Sequence, residues 1–285
     1  MKVKKVKRKT FKIRPSGRST DFISPSFGYG CLYNCSYCYM KRHMPFGLGV
    51  ATNTEDILTE INSHAAFAQI EKPNQTHEKY ITYDISCNED FALHAKHHEW
   101  EKIFTFFKNH PDIMGSFATK YVNKDLLYFD PKGKIRIRFS LIPQNKADLH
   151  EPNTSKIIDR ILAIDAFTFA GYDVHVNFSP IMVYDGWLND YFELFRLMDK
   201  YIEIKENVLS ECIFLTHNIE RHTLNLKNNP KTEIDLWVPN IQETKISEYG
   251  CENIRYNYKL KREYIKQFKD LHDKVIPWNK IRYIF

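Results

Sequence analysis

The sequence predicts an α/β fold: a partial (β/α)6 parallel barrel followed by a C-terminal extension. Three observations carry this. β-rich stretches alternate with amphipathic helical ones across residues 21–217, the pattern of parallel βαβ units. Only six such strands can be counted, too few for the closed eight-stranded form. From about Asn218 the alternation breaks down. The expected organisation is a basic arm over 1–20, the partial barrel over 21–217, and an extension over 218–285 packed on the barrel.

The elements follow in order. Residues 21–27 form the first candidate strand, followed by a cysteine-rich loop. Thr54 can cap a helix over 54–68, with Glu55 and Asp56 in its first turn, where the helix dipole favours acids. Residues 79–86 are the second strand and 99–109 a helix. Residues 115–120 and 134–141 are the third and fourth strands. The apolar run 154–170 reads as a helix ended by Gly171, a C-cap glycine. Residues 172–179 and 210–217 are the last two strands, joined by a helix over 188–204. In a parallel barrel, chemistry gathers at the C-terminal strand ends. That places the 31–38 loop, Cys87, Lys120, Ser140, Ser179 and His217 together as candidates.

Composition narrows the class. The chain has 285 residues, 43% hydrophobic, with 10 Gly and 12 Pro, which excludes collagen-like and low-complexity classes. No apolar run approaches the roughly 18 residues of a membrane span, and the basic N-terminus lacks the apolar stretch of a secretory signal. A soluble, cytoplasmic monomer is expected. Of the 41 Lys and Arg, eight fall in residues 1–14 with no acid among them, so the other 33 face 35 Asp and Glu. The excess charge therefore sits in the arm, which reads either as a phosphate-binding element or as a solvated tail. A second basic stretch, Arg255 to Arg282, is interleaved with Tyr256, Tyr258, Tyr264, Phe268 and Trp278. It suits a nucleic-acid groove with stacking rings, or an amphipathic helix burying Tyr264 and Phe268.

Six cysteines occur, three of them at 31, 35 and 38 in GCLYNCSYCY. Three thiolates on one short loop suit three corners of a cubane iron–sulfur cluster, leaving one iron open. Structural zinc usually takes four ligands, and would have to recruit Cys87 or His43. Cys212 and Cys251 lack partner spacing and read as packing residues. His94, His97 and His98 read as a solvated turn rather than a metal cluster.

The C-x3-C-x2-C loop resembles the signature of the radical S-adenosylmethionine superfamily. The similarity to its spore photoproduct lyase branch runs further, through SPSFGYGCLYNCSYCYM, DISCNED (84–90), ATKY, IRFS, EPNT (151–154), AGY (170–172) and the segment 179–187. The resemblance implies a barrel of the radical SAM type and an enzyme that splits a methylene-bridged thymine dimer in UV-damaged DNA, through a 5′-deoxyadenosyl radical. It implies one [4Fe–4S] cluster on Cys31, Cys35 and Cys38, and S-adenosylmethionine contacted by Lys120, Ser140, Ser179 and Tyr37. Cys87 becomes the hydrogen donor, with Tyr37 and Tyr39 as relays, and an electron donor such as flavodoxin or ferredoxin is required. Two departures stand out. Glu89 replaces a serine two residues after Cys87, and LTHNIE lacks an arginine beside His217. A radical enzyme with another substrate, and a non-catalytic iron–sulfur or zinc protein that binds nucleic acid, are the competing readings.

Overall fold

A computed structural model of the chain describes residues 3–38, 40, 47–67, 76–246, 250 and 252–285. Tyr39, His43 and Cys251 lie outside them. The chain divides into two units, one of Met1–Leu32, Arg42–Phe139 and Ala163–His175, the other of Tyr33–Lys41, Ser140–Leu162 and Val176–Phe285.

In the first unit, β1 (Val3–Val6) runs parallel to β5 (Leu48–Ala51), which pairs antiparallel with β4 (Gly28–Tyr29). Part of the basic arm is therefore a strand. Arg8 extends this docking, its backbone N–H donating to Asn53 Oδ1 at 2.8 Å. A second ladder holds β2 (Arg14–Pro15) antiparallel to β3 (Phe22–Ile23). From β3 it continues in parallel through β6 (Ile81–Asp84), β7 (Ile113–Thr119) and β8 (Ile135–Ser140). The buried Asp21 carboxylate fixes the register of β3 on β6: Oδ2 accepts from Thr82 N and Thr82 Oγ1, both at 2.9 Å. Helix α1 (Thr54–Phe67) buries Ile57, Leu58, Ile61 and Ala65, the i, i+4 stripe of a core-facing helix. The short α2 (Phe91–His94) and α3 (Trp100–Asn109) bring Phe91 and Phe104 against Phe117 of β7, with ring centroids 5.4 and 6.1 Å away. Gly115 keeps β7 close to its neighbours, since a Cβ there would lie 3.0 Å from Phe107 and 3.1 Å from Ile135.

The second unit starts with α4 (Gln144–His150) and the first turns of α5 (Ile157–Phe169). Strand β9 (Asp173–Ile181) pairs in parallel with β10 (Leu209–Phe214), and α6 (Trp187–Tyr201) lies between them in the chain. A short β11 (Thr216–Asn218) leads into α7 (Ile219–Asn228) and α8 (Glu233–Leu236). Then β12 (Gln242–Ile246) and β13 (Glu252–Tyr256) complete an antiparallel sheet in the order β11–β13–β12. The chain ends with α9 (Tyr258–Val275) and β14 (Lys280–Ile284), which is parallel to β10.

All six strands expected from the sequence are present, as β3, β6, β7, β8, β9 and β10. The residues expected only to elaborate the fold supply a further parallel strand, β14. Sequence alternation missed it because the ten residues after α9 carry a single short strand with no helix after it. The basic aromatic stretch resolves toward the amphipathic-helix reading. Phe268 of α9 is fully buried as expected, whereas Tyr264 is only partly buried. Tyr256, on β13 rather than the helix, is also fully buried, its hydroxyl accepting from Val183 N at 2.8 Å. Phe268 packs its ring against Tyr191 at 5.2 Å, Phe195 at 5.5 Å and Phe178 at 5.8 Å. Cys212 is also a buried packing group, as expected. Truncating Phe268 to Ala removes the ring that ties α9 to α6 and β9. It is expected to cost about 3–5 kcal/mol, as for other buried aromatics, measured by chemical denaturation.

Candidate functional site

Gly30 opens the cysteine segment with φ of +84°, and a Cβ there would meet Gly47 O at 2.7 Å. Only glycine fits such a turn and approach. Beyond it, residues 31–38 form no helix or strand, so their backbone polar groups need partners from elsewhere. Among the described residues no disulfide forms, and Cys31, Cys35, Cys38, Cys87 and Cys212 are thiols. Cys35 is buried, while Cys31 and Cys38 are partly exposed. Cys38 N donates to Cys35 O at 3.2 Å, closing a tight turn.

In the second unit, three buried polar groups grip this turn. Ser36 N donates to His150 O at 2.9 Å, and Ser36 Oγ bonds His150 Nδ1 at 2.8 Å. His150 Nε2 in turn reaches Asp235 Oδ2 at 3.1 Å, which Lys146 also binds at 2.7 Å. Ser36 O accepts from Arg221 Nε at 2.8 Å and Asn225 Nδ2 at 2.9 Å. The Tyr37 hydroxyl donates to Glu151 Oε1. Burial and the Glu151 carboxylate together push the Tyr37 phenol well above its ordinary pKa, so it stays protonated at neutral pH. Glu151 Oε2 pairs with Arg160 at 2.8 Å, both side chains fully buried. Arg160 NH1 also donates to the Ser140 carbonyl at 2.7 Å. Ser140 is buried at the end of β8, and Ser179 is partly exposed on β9.

In the first unit, the Cys87 loop is built around two carboxylates. Asp90 caps α2: Oδ1 accepts from Leu93 N at 3.2 Å and Thr119 Oγ1 at 2.7 Å, while Oδ2 accepts from Lys120 N at 2.9 Å. One side chain thus ties the Cys87 loop to the C-terminal end of β7, where Lys120 stands. Cys87 is partly exposed, with an Arg14 guanidinium nitrogen 3.8 Å from its sulfur. Glu89 points inward. Its Oε2 bonds His94 Nδ1 at 3.1 Å and His98 Nε2 at 2.9 Å, and these side chains are at most 2% exposed. The expected solvated turn is therefore corrected for His94 and His98. They are core residues because Glu89 satisfies them, a pairing seven residues of helical sequence do not advertise. Leu32 N donates to His94 Nε2 at 3.3 Å, which leaves the proton on Nδ1, facing Glu89. Gly28 makes room for the carboxylate, since a Cβ there would lie 2.6 Å from both Glu89 oxygens.

Cys31, Cys87 and Lys120 belong to the first unit, and Cys35, Tyr37, Cys38, Ser140 and Ser179 to the second. Sequence reasoning missed the polar residues that hold them: Glu89 with its histidines, His150 with Asp235, Glu151 with Arg160, and Arg221 with Asn225. The matched segments DISCNED and EPNT contain two of these acids, which was the available signal. Nothing in sequence linked Arg221 to Ser36, 185 positions away. Among the described residues no helix is long and apolar enough to cross a membrane.

A family model described as spore photoproduct lyase matches residues 3–285. The chain belongs to the spore photoproduct lyase family. Spore photoproduct lyase of Geobacillus sp. (strain Y412MC61) is 28% identical, over 97% of this chain and 80% of its own length. That of Bacillus subtilis (strain 168) is 26% identical with the same coverage. A solved spore photoproduct lyase variant with dinucleoside spore photoproduct superposes with a TM-score of 0.89 at 22% identity, covering 99% of this chain and 82% of that one. Another, with bound AdoMet and dinucleoside spore photoproduct, gives 0.87 at 22% identity with the same coverage. The fold is thus the partial barrel of this family, as the sequence predicted.

Burial alone would raise the Glu89 pKa, but His98 and His94 outweigh it and hold the carboxyl below its ordinary 4.5. A depressed folded-state pKa adds stability above 4.5, which is lost as pH falls through the folded value. Glu89→Gln is expected to destabilise by on the order of 1–3 kcal/mol at pH 7. The gap between wild type and variant should shrink below about pH 4.5, as read by denaturant titration at several pH values.

Proposed function

We propose that this chain is a radical S-adenosylmethionine lyase that splits a methylene-bridged thymine dimer, with a [4Fe–4S] cluster on Cys31, Cys35 and Cys38. The observation that carries the reading is an intact three-cysteine segment, all thiols, in a chain matched along 3–285 by the spore photoproduct lyase model. The donor set suits the cluster. Sulfur is the ligand such clusters take, and the charged Arg221 beside Cys35 and Cys38 offsets thiolate charge. When bound, cluster and S-adenosylmethionine together supply a 5′-deoxyadenosyl radical that takes hydrogen from the thymine-dimer bridge.

The chain's own residues do the rest. Lys120 neutralises the carboxylate at the methionine end of the cofactor, and Asp90 fixes the backbone from which Lys120 projects. Ser140 and Ser179 hold the same cofactor by hydrogen bonds. Cys87 returns a hydrogen atom to the product thymine radical, for which a weak S–H bond on a small side chain is suited. Tyr37 receives the resulting hole, and as its phenol is oxidised Glu151 accepts the phenolic proton across the hydrogen bond already in place. Tyr39 shares this relay role. The basic residues of the arm would bind DNA phosphates, and a cluster held by Cys31, Cys35 and Cys38 would take its electron from an external one-electron protein donor. A different substrate has no observation in its favour. The Glu89 departure, which raised that reading, is absorbed by His94 and His98 inside the protein.

Anaerobic reconstitution is expected to give about four irons per chain, and replacing any of Cys31, Cys35 or Cys38 with Ala to abolish them. Stoichiometric zinc instead would defeat the reading at its root. With reductant and UV-damaged DNA, the wild type should release 5′-deoxyadenosine and restore two thymines.

Cys87→Ala should still cleave the cofactor but leave misquenched thymine products, read by mass spectrometry. Clean repair by this variant at normal yield would remove Cys87 from the mechanism.

A further inference from the structure

One buried cation faces the turn that carries Cys35 and Cys38. Arg221 lies in the first turn of α7, where Asn218 caps the helix by accepting from Glu220 N at 2.9 Å and Arg221 N at 3.2 Å. Arg221 is 8% exposed. Arg221 and Asn225 are four residues apart, so they share one helix face. That face delivers two donors to a single acceptor, Ser36 O, at 2.8 and 2.9 Å. Ser36 stands directly after Cys35 and two residues before Cys38. The guanidinium also lies within electrostatic range of Cys38, Glu233 and Cys35.

Glu233 lies within electrostatic range of this cation. Its carboxylate accepts from His217 Nε2 at 3.2 Å, His222 Nδ1 at 2.5 Å and Asn225 Nδ2. Burial disfavours its charge, but those three donors keep its pKa below the ordinary value. His222 is itself fixed by stacking on Trp237, with ring centroids 3.8 Å apart. His217, His222 and Glu233 have donor atoms within 4.8 Å of one another, a set able to hold a divalent ion. Three N–H donors already occupy the carboxylate, and the Arg221 guanidinium lies within its electrostatic range. The trio therefore works as the counter-anion of Arg221.

We propose that Arg221 is a positioning residue for the cluster: it fixes the Cys35–Cys38 turn through Ser36 O and sets the cluster's reduction potential by placing a fixed positive charge beside two of its thiolates. This rests on the cluster reading above. Adding one electron to a cluster held by thiolates deepens its negative charge, and in a buried setting a nearby cation favours the reduced form. Sequence departs from the family pattern by lacking an arginine beside His217. Here α7 brings one in a turn later.

The test is an electron paramagnetic resonance redox titration of anaerobically reconstituted protein, with iron content measured in parallel. In Arg221→Met the midpoint potential is expected to become more negative, by about 59 mV if the reduced-to-oxidised ratio at a fixed poise falls tenfold. Arg221→Lys keeps the charge and should hold the potential within a few-fold of wild type in that ratio. Glu233→Gln removes the opposing anion and should move the potential the other way. If Arg221→Met assembles no cluster, the Glu233→Gln shift decides: a positive shift supports the role and an unmoved potential overturns it. An Arg221→Met cluster with wild-type potential also overturns it. A wild type that assembles no iron–sulfur cluster defeats the cluster reading itself, a distinguishable result.

Discussion

A segment without regular secondary structure must still satisfy its backbone, and everything around the cysteines follows from that requirement. Residues 31–38 have no ladder or helical bonds to draw on, and Cys35 and Ser36 are buried. Their partners therefore come from side chains on separate elements: His94 for Leu32 N, and Arg221 with Asn225 for Ser36 O. His150 serves Ser36 twice, by its carbonyl and its ring. Each bond is worth only about 1 kcal/mol net, but leaving one of these groups buried and unmet costs about 1–3 kcal/mol. The polar network is thus obligatory, and it is also what positions two of the thiols.

That network puts charge into the core, and each charge is matched. Glu89 takes two histidines, Glu151 takes Arg160 and the Tyr37 hydroxyl, and Glu233 takes two histidines and Asn225. Buried ion pairs seldom add much stability over apolar packing, whereas breaking one is expensive. Their value here is geometric. Arg160 links the Glu151 carboxylate to the Ser140 carbonyl, and Asp90 links the Cys87 loop to the strand end bearing Lys120. Residues assigned to cofactor and substrate are held by neighbours that touch neither.

The aromatic core separates two uses of one composition. Rings in the C-terminal basic stretch suggested either base stacking or a buried helix face, and sequence alone could not choose. Phe268 packs inward because α9 lies against α6, where Tyr191 and Phe195 wait at 5.2 and 5.5 Å, and Tyr256 of β13 packs on Phe214 and Tyr264 at 6.0 and 5.7 Å. The basic side chains of α9 are left on its outer face, Lys266 being paired with Asp270 at 2.7 Å. Similarly, β1 turns part of a charged arm into an edge strand, with Lys4 and Lys5 exposed between partly buried Val3 and Val6.

By itself the sequence determined what local pattern and spacing encode. Alternating strands and helices specified the parallel α/β fold, because side-chain period is a local property. The C-x3-C-x2-C spacing specified the donor set, because three thiols on one short loop need no tertiary contact to be near each other in the chain. Thr54 and Gly171 marked helix ends for the same local reason. Tertiary structure alone decided the rest: that Glu89 belongs to His94 and His98, that β14 joins β10, and that Arg221 meets Ser36 across 185 positions. Burial and pairing of charge depend on which elements pack together, and no period in a single chain records which distant side chain will supply the missing partner.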